Sequence, residues 1–256
     1  MSAGFYFSWR ADVLDLPKKP TLFVANELLD ALVFHQYEKT DTAWQERCVG
    51  LNDDGALCMM FGPGTLNIDL LPGGHEQLDV GSIFEKSPAR ETLSEAIATH
   101  IVKHGGSGLF IDYGNSAPGT GDTFQAIERH EFVSPLTRCG MADLTSHVDF
   151  SALFAKMKSV KGATVTPPME QGEFLVRMGL VERARQLGQD KSAQEQAKIR
   201  LDIERLAGEG TGERTGAGGM GTLFKVLMVA QTGLLPPPFQ DPDARTTDNP
   251  VQKPAH

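Results

Sequence analysis

Nothing in these 256 residues is long and apolar enough to cross a membrane as a helix. The longest hydrophobic runs, such as Leu223 to Ala230, fall far short of the ~20 residues a span requires. Met1 to Arg10 has aromatics but neither a basic leader nor an extended apolar core, so no secretory or transit peptide is expected. Cysteine is scarce: Cys48, Cys58 and Cys139 are odd in number and lack metal-type spacing. A disulfide framework and a zinc site are both disfavoured, and a reducing compartment fits best. Apart from His100 and His104, four residues apart on one stretch, the histidines are scattered and none pairs with a Cys, so no metal is expected. Positive charge is in deficit, with 24 Lys and Arg against 33 Asp and Glu and a formal net charge of −9. No basic cluster stands out, which argues against nucleic acid as a partner. There is no internal repeat. A G-x-S-x-G nucleophile elbow is also missing, since Gly105-Gly106-Ser107-Gly108 has the wrong spacing, and this weakens an α/β-hydrolase reading.

What remains is an ordinary globular composition, 40% hydrophobic and 22% charged, long enough for one large domain or two small ones. Thr21 to Ala25 is a short apolar run, as expected of a parallel strand buried on both faces. Leu28, Leu29, Leu32 and Val33 then supply a helical apolar face that Asn26 could cap. Arg47 to Leu51 and Ala56 to Met60 flank Asn52-Asp53-Asp54-Gly55 and predict a hairpin. Ser87-Pro88 opens a helix with Leu93, Ile97 and Ile101 on one face, and Gly105-Gly106 stops it. Leu109 to Ile111 is a second buried strand, completing a helix-then-strand unit of an α/β fold.

Gly114 to Asp149 is polar, loop-rich and long for a connector, which suggests a site-forming insertion. Asp143 with Thr145 could cap one helix, and Asp149 another over Ser151 to Met157. An amphipathic helix is expected through Phe174, Met178, Val181 and Leu187, and another through Ala197 to Leu206. Gly208 to Gly221 reads as a flexible loop, Leu223 to Ala230 as a late strand, and the chain from Pro236 as a disordered tail.

Ligands of open parallel sheets sit beyond the carboxyl ends of the strands. Two strands end in polar residues, Asn26-Glu27 and Asp112-Tyr113, whose side chains would meet in one crevice. Two Gly-rich strings imitate cofactor loops. Gly216 to Gly221 matches G-x-G-x-x-G but precedes a strand instead of following one, and Phe61 to Leu66 has no helix after it. Neither is a built-in cofactor loop. His147, between two capping aspartates, could accept a proton or anchor a substrate; a structural histidine is the alternative.

Six segments in order, Ala25 to Leu32, Ile111 to Gly114, Gly121 to Thr123, Asp143 to Phe150, Gln171 to Leu175 and Met220 to Leu227, resemble the MidA family, over about Trp9 to Ala230. That family contains S-adenosylmethionine-dependent methyltransferases, and its mitochondrial members help assemble respiratory complex I by methylating an arginine. Leu28-Leu29 and Val33 stand where the family usually has two Phe and a Pro. The resemblance implies a partial Rossmann-like class I methyltransferase sheet, α/β, with a loop-rich and helical substrate-side insertion. The domain would cover residues 9–232, with a tail over 233–256. The family's Gly-rich cofactor loop and its strand are expected to lie outside this sequence, leaving an open apolar sheet edge at Thr21 to Ala25 and a chain expected to be unstable alone, to self-associate or to need a partner.

By position and resemblance, Glu27, Asp30 and His147 are the expected catalytic residues, and Asn26, Asp112 and Tyr113 the cofactor side. Asp122, Thr123, Asp143, Thr145 and Asp149 would contact substrate. Glu27 is the first choice for gripping a guanidinium through bidentate hydrogen bonds, with Asp30, Asp112 and Tyr113 as supports. The implied cofactor is S-adenosyl-L-methionine and the implied partner a protein, a complex I subunit. The expected location is bacterial cytoplasm, or alternatively the mitochondrial matrix. A catalytically inactive binding or assembly factor, or a truncated gene product, is the competing reading.

Overall fold

A computed structural model describes residues 7–129, 131–137, 139–210 and 219–240, so most of the expected Gly-rich loop and tail lies outside the described residues. The first strand, β1 (Thr21–Asn26), turns Phe23 and Ala25 inward. Leu22 and Val24 on its other face are 79% and 76% exposed. Burial on both faces is therefore corrected: the run is apolar throughout, but only one side of it is covered. No helix follows. Glu27 N–H bonds the Ile111 carbonyl, Leu32 N–H bonds the Leu29 carbonyl, and the chain turns. Asn26 is the strand's last residue and caps nothing.

A four-stranded antiparallel sheet comes next, from β2 (His35–Lys39), β3 (Trp44–Leu51), β4 (Leu57–Thr65) and β5 (Ile83–Lys86), in the order β4-β3-β2-β5. The expected hairpin is its β3–β4 pair, with Leu51 opposite Leu57 and Cys48 opposite Met60. Asn52 Oδ1 accepts the N–H groups of Asp54 and Ala56, and Gly55 takes φ +75° to close the turn. Phe61 to Thr65 continues β4, which removes that Gly-rich string as a cofactor loop. Trp44, Leu66 and Phe84 form the sheet's own small core.

Then α1 (Pro88–His104) begins as the sequence suggests, with Pro88 in its first turn and Ser87 Oγ accepting Arg90 N–H. It hands over at Gly105 to β6 (Gly106–Asn115), which runs parallel to β1 from Thr21↔Gly106 to Asn26↔Ile111. The segment expected to be loop-rich holds a small sheet of β7 (Gln125–Glu128), β8 (Glu131–Val133) and β9 (Asp143–Thr145), in the order β8-β7-β9. Asp143 and Thr145 therefore belong to a strand, paired with Ile127 and Gln125, and cap no helix. After β10 (Val148–Asp149), Asp149 does cap α2 (Phe150–Lys158), accepting Ala152 N–H at 3.0 Å.

The remaining elements are β11 (Ala163–Val165), β12 (Met169–Glu170), α3 (Gln171–Arg177), α4 (Leu180–Gly188), α5 (Ala193–Ala207), α6 (Met220–Leu223) and β13 (Phe224–Gln231). The single helix expected through Phe174 and Leu187 is two, because Gly179 at φ +89° turns the chain between α3 and α4. β13 joins the main sheet antiparallel to β6, giving a mixed sheet in the order β1-β6-β13-β11. One face of that sheet packs on α1 and α2 through Phe110, Leu227, Val229, Ile97, Ile101 and Leu153. Helix and sheet share one core, as α/β layers must.

Gly114 is where β6 passes closest to β10: a Cβ there would lie 1.9 Å from the Val148 carbonyl oxygen. Overpacking against backbone cannot relax by a rotamer change, so Gly114→Ala is expected to cost about 2–3 kcal/mol in urea unfolding. Gly119→Ala, which meets open space, should stay near wild type. Equal midpoints for the two variants would contradict the close approach.

Candidate functional site

Parallel pairing of β1 with β6 sets their carboxyl ends side by side. Glu27 leaves β1 at φ +48°, a left-handed conformation that a side chain adopts only when its surroundings impose it. Its own N–H is tied to the Ile111 carbonyl, and the turn that follows is held by Asp112 and Arg90. Asp112 Oδ2 accepts the N–H groups of Leu29 (3.0 Å) and Asp30 (3.2 Å), while its Oδ1 accepts Tyr113 N–H. From α1, Arg90 donates Nε to the Leu29 carbonyl at 2.6 Å and Nη2 to the Asp30 carbonyl at 2.9 Å. The same guanidinium reaches the His147 carbonyl, the Ser146 carbonyl and Ser146 Oγ. One anion and one cation thus hold the turn after β1 from both sides of its peptide groups.

Asp30 is the outcome of that clamp. Tyr113 donates its hydroxyl to Asp30 Oδ2 at 2.5 Å, with Thr145 and Gln125 on the hydroxyl's far side. Asp30 Oδ1 is the buried side-chain polar atom that, among the described residues, has no hydrogen bond. Asp30 is 5% exposed, and Asp112 is buried close by. Burial, then the charge of Asp30, push Asp112 up to about 6, against three backbone N–H groups that pull it down. Burial and the bond to Asp30 raise the Tyr113 hydroxyl. Burial draws Arg90 down, opposed by Asp112, Glu85 and Asp30.

Outside this centre lies a cavity of about 380 Å³, walled by Phe34, Phe84, Glu85, Glu91, His147 and Asp149 among others. His147 links it to the centre: its ring meets Tyr113 edge-on at 5.5 Å, and its N–H donates to Thr123 Oγ1 at 2.9 Å. Thr123 in turn bonds Glu85 through both its N–H and its hydroxyl. Glu85 also accepts from Gln36, which bridges to Asp122, and Asp122 pairs with Arg47 at 3.1 Å. The four-stranded sheet is thereby bound to the rim of the site.

Asn26, Glu27, Asp30, Asp112, Tyr113, Thr145 and His147 therefore gather around the two strand ends, and Thr123 and Asp149 lie on the cavity wall. Asp112 and Tyr113 are buried and hydrogen-bonded to protein groups, Asp112 to the turn after β1 and Tyr113 to Asp30. Asp122 belongs to the sheet junction. Asp143 is exposed on β9. Sequence reasoning missed Arg90, Glu85 and Gln36. Arg90 had a signal: it lies on the α1 stripe with Ser94, Ile97 and Ile101, where a cation needs a partner.

A family profile described as "Putative S-adenosyl-L-methionine-dependent methyltransferase" matches residues 2–169. The chain is 35% identical over 199 residues to a protein from Caenorhabditis elegans named protein arginine methyltransferase NDUFAF7 homolog, mitochondrial, covering 75% of this chain and 46% of that one. It is 31% identical to the Homo sapiens protein arginine methyltransferase NDUFAF7, mitochondrial, covering 78% and 44%. The chain spans about half the length of the curated relatives it matches. In fold it is similar to a crystal structure from Burkholderia thailandensis bound to S-adenosyl-homocysteine, with a TM-score of 0.68, 24% identity, and coverage of 84% of this chain and 55% of that one.

Two substitutions test the clamp. Arg90→Met leaves the carbonyls of Leu29, Asp30, Ser146 and His147 short of a donor and should cost about 3 kcal/mol or more in urea unfolding. Arg90→Lys keeps the charge without the planar fork and should fall between. An Arg90→Met protein as stable as wild type would show that the clamp is dispensable.

Asp112 is tested by pH. Its folded pKa of about 6 lies above the ordinary 3.8, so the folded chain holds this proton more tightly than the unfolded one. Its contribution to stability is full below 3.8 and is lost as pH rises through about 6. The stability difference between wild type and Asp112→Asn should shift against wild type by about 1–2 kcal/mol from pH 5 to 7. A pH-independent difference would refute the raised value.

Proposed function

The chain belongs to the S-adenosyl-L-methionine-dependent methyltransferase family, and on that premise we propose that its two strand ends form the acceptor side of a protein-arginine methylation site. The observation that supports this most is Asp30 Oδ1, a buried carboxylate oxygen without a donor beside a second buried carboxylate. A planar cation with several N–H donors is the guest that such a site accommodates, because Asp and Glu hold a guanidinium by paired hydrogen bonds. Glu27, exposed at the rim on its constrained backbone, takes a further N–H of the same group.

The bound cofactor supplies an electrophilic methyl group. Asp30 and Glu27 orient the acceptor nitrogen toward it and disperse the guanidinium charge; Tyr113 and Arg90 keep Asp30 in place. The acceptor nitrogen would lose one proton on methylation, and Glu27 would accept it and pass it to water. Asn26 is the strand-end side chain left to face the cofactor. Phe61 to Thr65 lies within β4, and half of the Gly216 to Gly221 string lies outside the described residues, so the residues assigned to the cofactor are those at its reacting end. His147, Thr123 and Asp149 line the cavity for the residues next to the arginine.

The relatives' names carry this reading to a mitochondrial protein substrate, and the resemblance to the MidA family carries it to a respiratory complex I subunit in the matrix, or to bacterial cytoplasm for a bacterial member. No helix among the described residues is long and apolar enough to cross a membrane. The open edge of β1, with Leu22 and Val24 bare beside it, supports self-association. A second reading is an assembly factor that keeps peptide recognition without methyl transfer.

Titration calorimetry separates these readings. With S-adenosyl-homocysteine present, an arginine peptide should bind, its lysine twin should bind at least tenfold more weakly, and Asp30→Asn should lose the arginine peptide while melting like wild type. Peptide heat without any S-adenosyl-homocysteine heat would support the assembly factor. Arginine and lysine peptides bound alike by both proteins would overturn the acceptor site.

A further inference from the structure

The helices α4 and α5 leave a groove between them that the methylation site does not use. It measures about 370 Å³ and is walled by Val181, Ala184, Ile199 and Ile203, with Gln189 and Gln196 at one end. Val181 is 52% exposed, so the apolar wall is open to solvent. The lining runs from Val181 to Gly188 on one helix and from Gln196 to Ile203 on the other, about 10 Å, or two helical turns, on each. Two packed helices with an open seam present the same surface that a third helix covers in a bundle.

The charges identify the partner. The charged residues lining the groove are Arg185 and Arg200, and no carboxylate lines it. Neither guanidinium has a hydrogen bond or an ion pair among the described residues, whereas Lys191 nearby pairs with Glu195 and Arg177 with Glu173. Two unpaired cations flanking an apolar seam, on a chain of net charge −9, are a local reversal of the overall field. A basic partner would be repelled here and drawn elsewhere. An acidic one is steered to this seam, where aliphatic side chains two turns apart fill the apolar wall and carboxylates meet the arginines.

We propose that the α4–α5 groove docks an amphipathic helical segment of a protein partner that carries Asp or Glu beside its aliphatic face. This surface is independent of the methylation reading. It would hold a protein substrate or assembly partner at a distance from the strand ends, adding affinity without touching the reacting groups.

The test uses a labelled 16-residue peptide with Leu at i, i+3, i+4 and i+7 positions and Glu between them, and a twin with Lys in place of Glu. Fluorescence anisotropy at low salt should show the Glu peptide binding at least tenfold tighter than the Lys twin. The double variant Arg185→Glu with Arg200→Glu should invert that order without moving the thermal melt, since both side chains are exposed. Raising salt should erode the preference. Equal binding of the two peptides, no binding of either, or a Glu-peptide affinity unmoved by the double variant would overturn the proposal. So would laurate that binds in the seam and displaces the peptide only in protein retaining both arginines, because it would make the partner a fatty anion.

Discussion

The peptide groups of Leu29 and Asp30 are held from both ends at once: their N–H groups by the Asp112 carboxylate, their carbonyls by the Arg90 guanidinium. Much else in the chain depends on this clamp. A turn of apolar residues after a strand has backbone groups that neither helix nor sheet satisfies, and buried without partners each would cost about 1–3 kcal/mol. Asp112 comes from β6 and Arg90 from α1, so satisfying the turn also joins three elements. Arg90 extends the join to the segment before β10 through the carbonyls of Ser146 and His147. The two charged groups have a turn of main chain between them. Each is solvated by backbone dipoles in place of water, which offsets part of its desolvation penalty.

The clamp fixes the backbone that carries Glu27 and Asp30. Glu27 occupies a left-handed conformation that isolated chain would leave, and Asp30 keeps a carboxylate oxygen out of water without a donor. Both are unfavourable locally, and both persist because the neighbouring peptide groups are fixed from two directions. Tyr113 adds a third constraint by binding the other Asp30 oxygen. The strain and the missing hydrogen bond sit within four residues of each other, at the carboxyl end of an edge strand, where α/β sheets place their ligands.

Legibility in the sequence divided along the range of the interactions. The α1 helix was readable because its signals are local: a Ser-Pro start, a glycine stop, and one apolar stripe. The β3–β4 hairpin was readable from Asn52 to Gly55 for the same reason. Leu28 to Val33 misled because the spacing of its apolar residues suits a helix, while the groups that hold it as a turn lie 82 and 83 residues away on β6. Asp143 and Thr145 misled likewise, since a strand two or three residues long draws its identity from its partner. The meeting of the two polar strand ends was legible, because parallel pairing of β1 with β6 sets Asn26-Glu27 beside Asp112-Tyr113. Arg90 was not, because its acceptors are carbonyls 56 to 61 residues distant and carbonyls leave no mark in a sequence. Its one trace was a cation on an apolar stripe.

The two buried carboxylates raise a question that the clamp alone does not answer. Asp112 is satisfied by three N–H groups, yet burial and Asp30 still lift it to about 6. Asp30 has one partner where two could fit. Stability alone would favour a neutral residue at one of these positions, since like charges out of water are unfavourable. The pair becomes reasonable if a positive group visits. A guanidinium against Asp30 would supply the missing donor, offset the repulsion with Asp112 and favour the ionised form of Asp112. By linkage, whatever such a guest contributes by easing ionisation appears as affinity for the guest. The same arrangement that weakens the empty fold would therefore strengthen its hold on a cation, and that exchange is the physical argument behind the proposed acceptor site.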